Sequence, residues 1–350
     1  MPNDNEITRS LKRSVTAHDV AKVAGVSQSA VSRHFTPGAS ISEKTRKKII
    51  EAAEQLGYRP NLIARSLITK KSTLIGIVLP LNTNPYYQSI LEELSQELSS
   101  NGYRILLFTN ETGQNSDLLM EEILHYPLAG LILIAVNLSS HIADECKQNH
   151  LPVVMMTRKT ESKEISSVTG NNILGVQKIV DFLLAGKHQN FAYIAGENNS
   201  STNRDRENTY FSYLAHHGIY DVQKAIGNYT YENARQATRE LLNLTKQPDA
   251  IFCANDHMAL CAIEVARNEF SLQPGKDISI IGFDDNYLAG WDSFQLTTFS
   301  QPSKQMVDQA IQILLEQIEN ENSLPKHIVV EGELIVRQSS KLPKVVFDYK

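Results

Sequence analysis

From Leu74 onward the sequence repeats one unit, a short uninterrupted apolar run followed by a longer amphipathic stretch. Leu74–Leu79 is apolar at nearly every position, not at alternate ones, so it has no solvent face. Such a run predicts a strand covered on both sides. Strands of this kind build parallel sheets, whose connections return across the sheet as helices. After it, Asn84 and Pro85 open a helix ending at Asn101-Gly102, and Arg104–Thr109 is the next strand. Helix Asp117–His125, strand Gly130–Ala135, helix Ser140–Asn149 and strand Pro152–Met156 continue the alternation. A second round follows with helix Asn172–Ala185, strand Phe191–Ala195, helix Asn203–His217, a strand near Ala225–Tyr229 and helix Tyr231–Leu244. It closes with strand Asp249–Ala254, helix Asp256–Asn268 and strand Ile278–Phe283. The expected fold is α/β, two doubly wound parallel sheets with a ligand cleft between the halves.

That pattern leaves the first 71 of 350 residues unexplained, and their charge sets them apart. They hold 13 Lys and Arg against 6 Asp and Glu, a balance of +7, while the remainder is −12. A basic head on an acidic body is expected to meet a polyanion; a solvated basic helix face is the alternative at this point. The head is all-α. Val20, Ala21, Val23 and Ala24 are spaced for one helix face, Thr16 and Asp19 form a capping-box pair, and Gly25 stops the helix. Ser27 then caps a second helix, Gln28–His34, with Ala30 and Val31 inward and Gln28, Ser29, Ser32 and Arg33 outward. Helix, short Gly-containing turn and helix make a helix-turn-helix, whose second helix reads the major groove. Ser42 caps a third helix to Leu56, with Ile49, Ile50, Ala53 and Leu56 on its core side.

Other chemistries lack their motifs. There is no GxxxxGK[ST], GxGxxG, HExxH or GxSxG, and the three cysteines form no CxxC pair. No cofactor, metal or disulfide framework is expected, and catalysis is not expected. No run approaches 18 apolar residues and the polar N-terminus has no signal-peptide character, so a cytoplasmic protein is expected. A solute-binding protein of sugar uptake is the competing reading of the body alone.

Val15–Arg33, Thr45-Arg46, Gly57-Tyr58-Arg59-Pro60-Asn61 and Ala64-Arg65-Ser66-Leu67 together resemble the headpiece and hinge of the lactose-repressor (LacI/GalR) family. The body resembles the periplasmic-binding-protein-like effector domain of that family, so the likeness covers nearly the whole chain. It implies a headpiece over 1–60 with a basic tail 1–14, a hinge helix and linker over 61–71, an effector domain over 72–342 and a tail 343–350. The N-terminal lobe would be 72–168 plus 300–326, and the C-terminal lobe 169–299 plus 327–342. The likeness implies base reading by Gln28, Ser29 and Arg33, and phosphate contacts from Thr16, Ser27 and Ser32. It places Ala64 and Leu67 in the minor groove, Leu67 as a wedge. A seven-residue hinge helix is marginal alone, so DNA and a partner helix would stabilise it. Thr36-Pro37-Gly38 departs from the family pattern, which has Asn at the first of these positions.

The implied function is a sequence-specific DNA-binding transcriptional regulator, a repressor, acting as a homodimer on double-stranded operator DNA. The C-terminal segment has no leucine heptad, so no tetramer is expected. In the cleft, Arg206 and Asp256 lie where the family binds its effector. Tyr86, Tyr87, Arg158, Asn171 and Asp284 are further candidates, Tyr86, Tyr87, Arg158 and Asp284 either lining the pocket or packing at its rim. Gly170 and Thr157 stand where acids are expected. Two arginines without those acids point to a sugar acid or sugar phosphate.

Overall fold

A computed structural model describes residues 15–35, 39–59, 72–81, 84–110, 116–160 and 162–343. The tail 1–14, the Thr36–Gly38 departure, the hinge with Ala64 and Leu67, and residues 344–350 lie outside these. The chain divides into two compact units, Met1–Ser72 and Thr73–Lys350.

The first unit is three helices, α1 (Ala17–Ala24), α2 (Gln28–His34) and α3 (Glu43–Leu56). Each start is fixed by a side chain that satisfies an otherwise orphan backbone N–H. The Thr16 hydroxyl accepts from Asp19 N, and the Asp19 carboxylate accepts from Thr16 N at 2.9 Å, a complete capping box. Ser27 accepts from Ala30 N at 3.2 Å and Ser42 from Thr45 N at 3.3 Å. Gly25 ends α1 at φ 63°, a left-handed geometry that costs glycine nothing. The small core is Val20, Ala21, Ala24, Ala30, Val31, Ile49, Ala52 and Ala53. Val23 and Ile50, expected inside, are exposed, because the buried face of α3 runs Ile49–Ala52–Ala53.

The second unit holds two six-stranded sheets. The first has strands β1 (Leu74–Pro80), β2 (Arg104–Asn110), β3 (Gly130–Ile134), β4 (Val153–Met156), β5 (Ser166–Gly170) and β11 (His327–Val330), ordered β11-β5-β4-β3-β1-β2 and all parallel. Helix α4 (Pro85–Ser100) and α11 (Ser303–Glu319) bury Ile90, Leu94, Leu98, Met306, Ala310 and Leu314 on one face. On the other lie α5 (Ser116–Ile123) and α6 (Ser140–Gln148), with Met120, Ile142 and Cys146 buried.

The second sheet comprises β6 (Phe191–Ala195), β7 (Val222–Ile226), β8 (Ala250–Cys253), β9 (Ser279–Asp284), β10 (Thr297–Ser300) and β12 (Leu334–Ile335). Its order is β12-β10-β9-β8-β6-β7, parallel except that β12 runs antiparallel to β10. Helices α7 (Asn172–Ala185), α8 (Ser201–His216), α9 (Tyr231–Leu242) and α10 (Asp256–Phe270) cover it around one large core.

The fold differs from the sequence expectations in several places and adds a strand they lacked. The strand near Ala225–Tyr229 ends at Ile226, because Asn228 (φ 48°) and Tyr229 (φ 58°) form a left-handed turn. The polar run Ser166–Gly170 is a fully buried strand, its hydroxyls held by Gln317 and Lys326 N on Ser166 and by His327 on Ser167. Residues 327–330 therefore pair with β5 in the first lobe, through Ile328 with Val168 and Val330 with Gly170, not in the second. Residues 169–170 also belong to the first sheet, and Ser300 to the second, so the lobe boundaries shift accordingly.

Candidate functional site

The carboxyl ends of the strands of both sheets converge on one cavity, the position where open α/β sheets bind ligands. The first lobe supplies Tyr86, Tyr87, Ala135, Thr157 and Arg158. The second supplies Ser200, Thr202, Arg206, Tyr229, Asn255 and Asp284, and Gln301 comes from the crossover after β10. Four of these residues leave their strands at positive φ: Ala135 (53°), Thr157 (66°), Tyr229 (58°) and Asp284 (124°). Each such backbone costs on the order of 1–3 kcal/mol, and strain of this kind gathers where a site needs it.

Arg206 is 1% exposed, the most deeply buried large side chain of the cleft. Its Nε donates to Asn172 Oδ1 at 2.8 Å and its Nη1 donates to the Ala254 carbonyl. The guanidinium lies over the Phe283 ring, 3.6 Å from the centroid, and Nη1 is 3.6 Å from Asp284 Oδ1. Nη2 has no partner, and neither have Thr157 Oγ1 and the Tyr229 hydroxyl, although Ser200 lies close to the latter. Asp284 accepts from Gln301 Nε2 at 2.6 Å and from the Asn84 side chain. Burial pushes its carboxyl above the ordinary range, against the pull of Arg206. Burial also raises the phenols of Tyr86, Tyr87 and Tyr229, keeping them neutral.

The cleft is shut. The void among its side chains is about 20 Å³, room for about one water. One turn of the first lobe holds the N-terminus of α8. Arg158 pairs with Glu197 at 2.8 Å and Lys159 Nζ with Asp205 at 2.7 Å. Thr202 Oγ1 donates to the Thr157 carbonyl at 2.6 Å, and Lys159 N to Ser201 Oγ at 3.0 Å.

Tyr86, Tyr87, Arg158, Arg206 and Asp284 thus share one cavity, whereas Asp256 and Asn171 do not line it. Asp256 is fully buried inside the second lobe, accepting from Asn286 N at 2.8 Å and Thr298 Oγ1 at 2.5 Å. Its neighbour Asn255, the cap of α10, faces the cavity instead; successive residues at a helix start point about 100° apart. Asn171 caps α7, and Asn172 is the residue that fixes Arg206. At Gly170, where an acid was expected, a Cβ would lie 2.6 Å from Gln301 Oε1, so the Gln301 side chain occupies that space. Sequence reasoning missed Glu197, Tyr229, Asn255 and Gln301, which sit just past strand ends, the signal that could have found them.

A Ser–His–Asp row also exists at the opposite end of the second sheet. Ser279 Oγ is 2.9 Å from His188 Nε2, and His188 Nδ1 is 3.5 Å from Asp249. Ser279 is fully buried and its oxygen accepts from Lys341 N, so the row ties down the chain's end and no substrate reaches it. Among the described residues no cluster of metal-ligating side chains occurs, and no helix is long and apolar enough to cross a membrane.

In the first unit, Gln28, Ser29, Ser32 and Arg33 are all exposed on α2, with Thr16 and Ser27 exposed beside them. Arg33 Nε leans back to the Ser29 carbonyl at 3.4 Å. Lys44, Arg46, Lys47 and Lys48 are exposed on α3.

A helix-turn-helix unit joined to a two-lobed α/β unit with a closed interlobe cavity defines a ligand-responsive DNA-binding protein. Residues 16–61 match the family of bacterial regulatory proteins named for lacI, and residues 180–340 match a periplasmic binding protein-like domain. Catabolite control protein A of Priestia megaterium is 30% identical over 331 residues, covering 93% of this chain and 99% of that protein. The lac repressor dimer, solved with operator and the anti-inducer ONPF, superposes with TM-score 0.83 at 26% identity, covering 94% of this chain and 100% of that one. The regulator CelR, solved with cellobiose, gives TM-score 0.68 at 25% identity, covering 93% and 100%. The chain belongs to the LacI family and is a DNA-binding transcriptional regulator.

Proposed function

We propose that this regulator is a repressor that binds a pseudo-palindromic operator as a homodimer and answers to a small carbohydrate-type effector in the interlobe cleft. The observation that carries the reading is the exposed polar face of α2, where Gln28 and Arg33 have the donors and acceptors that read adenine and guanine edges. Ser29 completes the base-reading set; Thr16, Ser27 and Ser32 contact phosphates, and Ala64 and Leu67 enter the minor groove from the hinge. Apolar side chains exposed at the free edges of both sheets, Leu107 on β2 and Ile226 on β7, are consistent with a paired copy. The lac repressor structure, a dimer on operator, supports the same assembly, and the cellobiose complex of CelR supports a sugar-type ligand. The cleft binds without catalysing, and a cytoplasmic location goes with a chain that works on DNA. The test is fluorescence anisotropy of the full-length protein on duplex DNA across a salt series. Affinity falling steeply with salt supports the reading; DNA binding that is absent or indifferent to salt overturns it.

A further inference from the structure

The hydrogen-bonding capacity left open in the cleft is unequal in kind. Several of its acceptors are already engaged. Asp284 accepts from Gln301 and Asn84, Asn255 Oδ1 accepts from Met258 N, Ser200 Oγ accepts from Asn203 N, and Glu197 is held by Arg158. What remains is the Arg206 Nη2 donor and the Thr157 hydroxyl, both buried and unpartnered, with the Tyr229 hydroxyl, beside Ser200, lining the same void. Leaving a buried donor unpaired is costly, and a guanidinium N–H is the costliest of the three to leave so. Of the three only the guanidinium is a pure donor, so an acceptor on the ligand satisfies it while the hydroxyls can donate to the same group; with a void of about 20 Å³, the lobes must part to admit such a ligand. Charge sets the number of acceptor charges. Arg158 is matched by Glu197 at 2.8 Å, while Arg206 is incompletely matched by Asp284 at 3.6 Å. A singly charged carboxylate disturbs this balance less than the nearly two charges of a phosphate.

We propose that the cleft is selective for a small hydroxylated carboxylate, a sugar acid, whose carboxylate is held by Arg206 Nη2 with the hydroxyls of Thr157 and Tyr229. Arg206 fixes the anion and sets the preference for it over a neutral sugar, and Thr157 and Tyr229 add hydrogen bonds to the same group. This rests on the cleft being the effector site. Asp284 turns from counter-ion to competitor when the anion arrives, and Gln301 and Asn84 hold it in place.

The test is calorimetric titration of the full-length protein with gluconate, glucuronate, glucose and glucose 6-phosphate in phosphate-free buffer. At least one of the two carboxylates is expected to bind about tenfold or more tighter than glucose, as a charge-assisted hydrogen bond allows, and tighter than glucose 6-phosphate. Thr157→Val and Tyr229→Phe, both near-isosteric, should each weaken the carboxylate severalfold, and by more than they weaken glucose. Glucose binding as tightly as both acids overturns the proposal, and so does tighter binding of the phosphate, or no binding by either acid. Salt-dependent DNA binding by the same sample separates the two failures. If it persists, the ligand assignment alone is wrong; if it is lost, the regulator reading fails as well.

Discussion

The turn Thr157–Lys159 ties the two lobes together across the cleft, and its strongest tie is the Arg158–Glu197 pair. The two side chains are 8% and 17% exposed, so solvent screens the pair little. Arg158 also donates to Asn137 at 3.0 Å, which fixes it in its own lobe and leaves Glu197 as the cross-lobe partner. Glu197→Gln keeps the shape and removes the charge. Breaking a buried pair from one side costs about 3–5 kcal/mol. Because opening the lobes rehydrates Arg158, about 2–3 kcal/mol of that should bear on the closed form alone, a shift of roughly 30- to 150-fold toward open. The assay is resonance energy transfer between dyes at exposed positions 118 and 220, one in each lobe. Glu197→Gln should lengthen the mean dye separation without ligand, and Arg158→Met should do the same. The double variant should be no more open than either single one, because the two remove the same interaction. Unchanged transfer in both single variants would refute the latch and leave the closed cleft to be explained by packing alone.

Three further outcomes are expected. Burial raises the pKa of Asp256, with the nearby Asp284 charge adding to it and hydrogen bonds from Thr298 and Asn286 opposing. An acid raised on folding stabilises fully below about pH 4 and loses that contribution as pH climbs through the neutral range. Asp256→Asn, whose amide still serves Asn286 N and Thr298, should flatten that decline in urea unfolding between about pH 5 and 9; parallel declines would show that Asp256 stays ionised in the native state. Gly175→Ala places a Cβ 2.7 Å from ring atoms of Phe283 and Phe299, so thermal melts should show a loss of about 1–3 kcal/mol. An unchanged midpoint would mean that both rings give way freely. Gln28→Ala should cost about 1–3 kcal/mol on a specific operator and leave the salt slope of binding as it was; a changed slope would mark Gln28 as a phosphate contact.

The strand–helix alternation was readable because fully buried parallel strands have no polar face to interrupt the apolar run, as in Gly130–Ile134. The same rule hid β5. Ser166 and Ser167 are as buried as many a valine, but their hydroxyls are satisfied by residues roughly 150 positions away, which no local pattern reports. Caps were legible for the opposite reason: Thr16 with Asp19, Ser27 and Ser42 act within three residues of themselves. In the cleft, Arg206 was visible, but whether Asn255 or Asp256 faces the ligand depends on the phase of a helix start. Gly170 reads as a missing acid until Gln301, from a distant crossover, is seen to fill its place.

The position of β11 has a consequence for how the chain is made. The first sheet is begun at Leu74 and completed only by His327–Val330, after all but the final strand of the second sheet has been synthesised. Until then the backbone edge of β5, and the core beneath α11, stay open. An unpaired edge of that kind is a template for pairing with another chain. A ribosome stalled or a chain truncated anywhere between the two lobes therefore releases a half-built N-terminal lobe with a sticky rim. The second lobe, from Asn171 to Ser300, lacks only the two-residue β12 from its sheet when that stretch is complete. Folding is accordingly expected to run against the direction of synthesis, the later lobe consolidating first and the earlier one sealed by the chain's last strands.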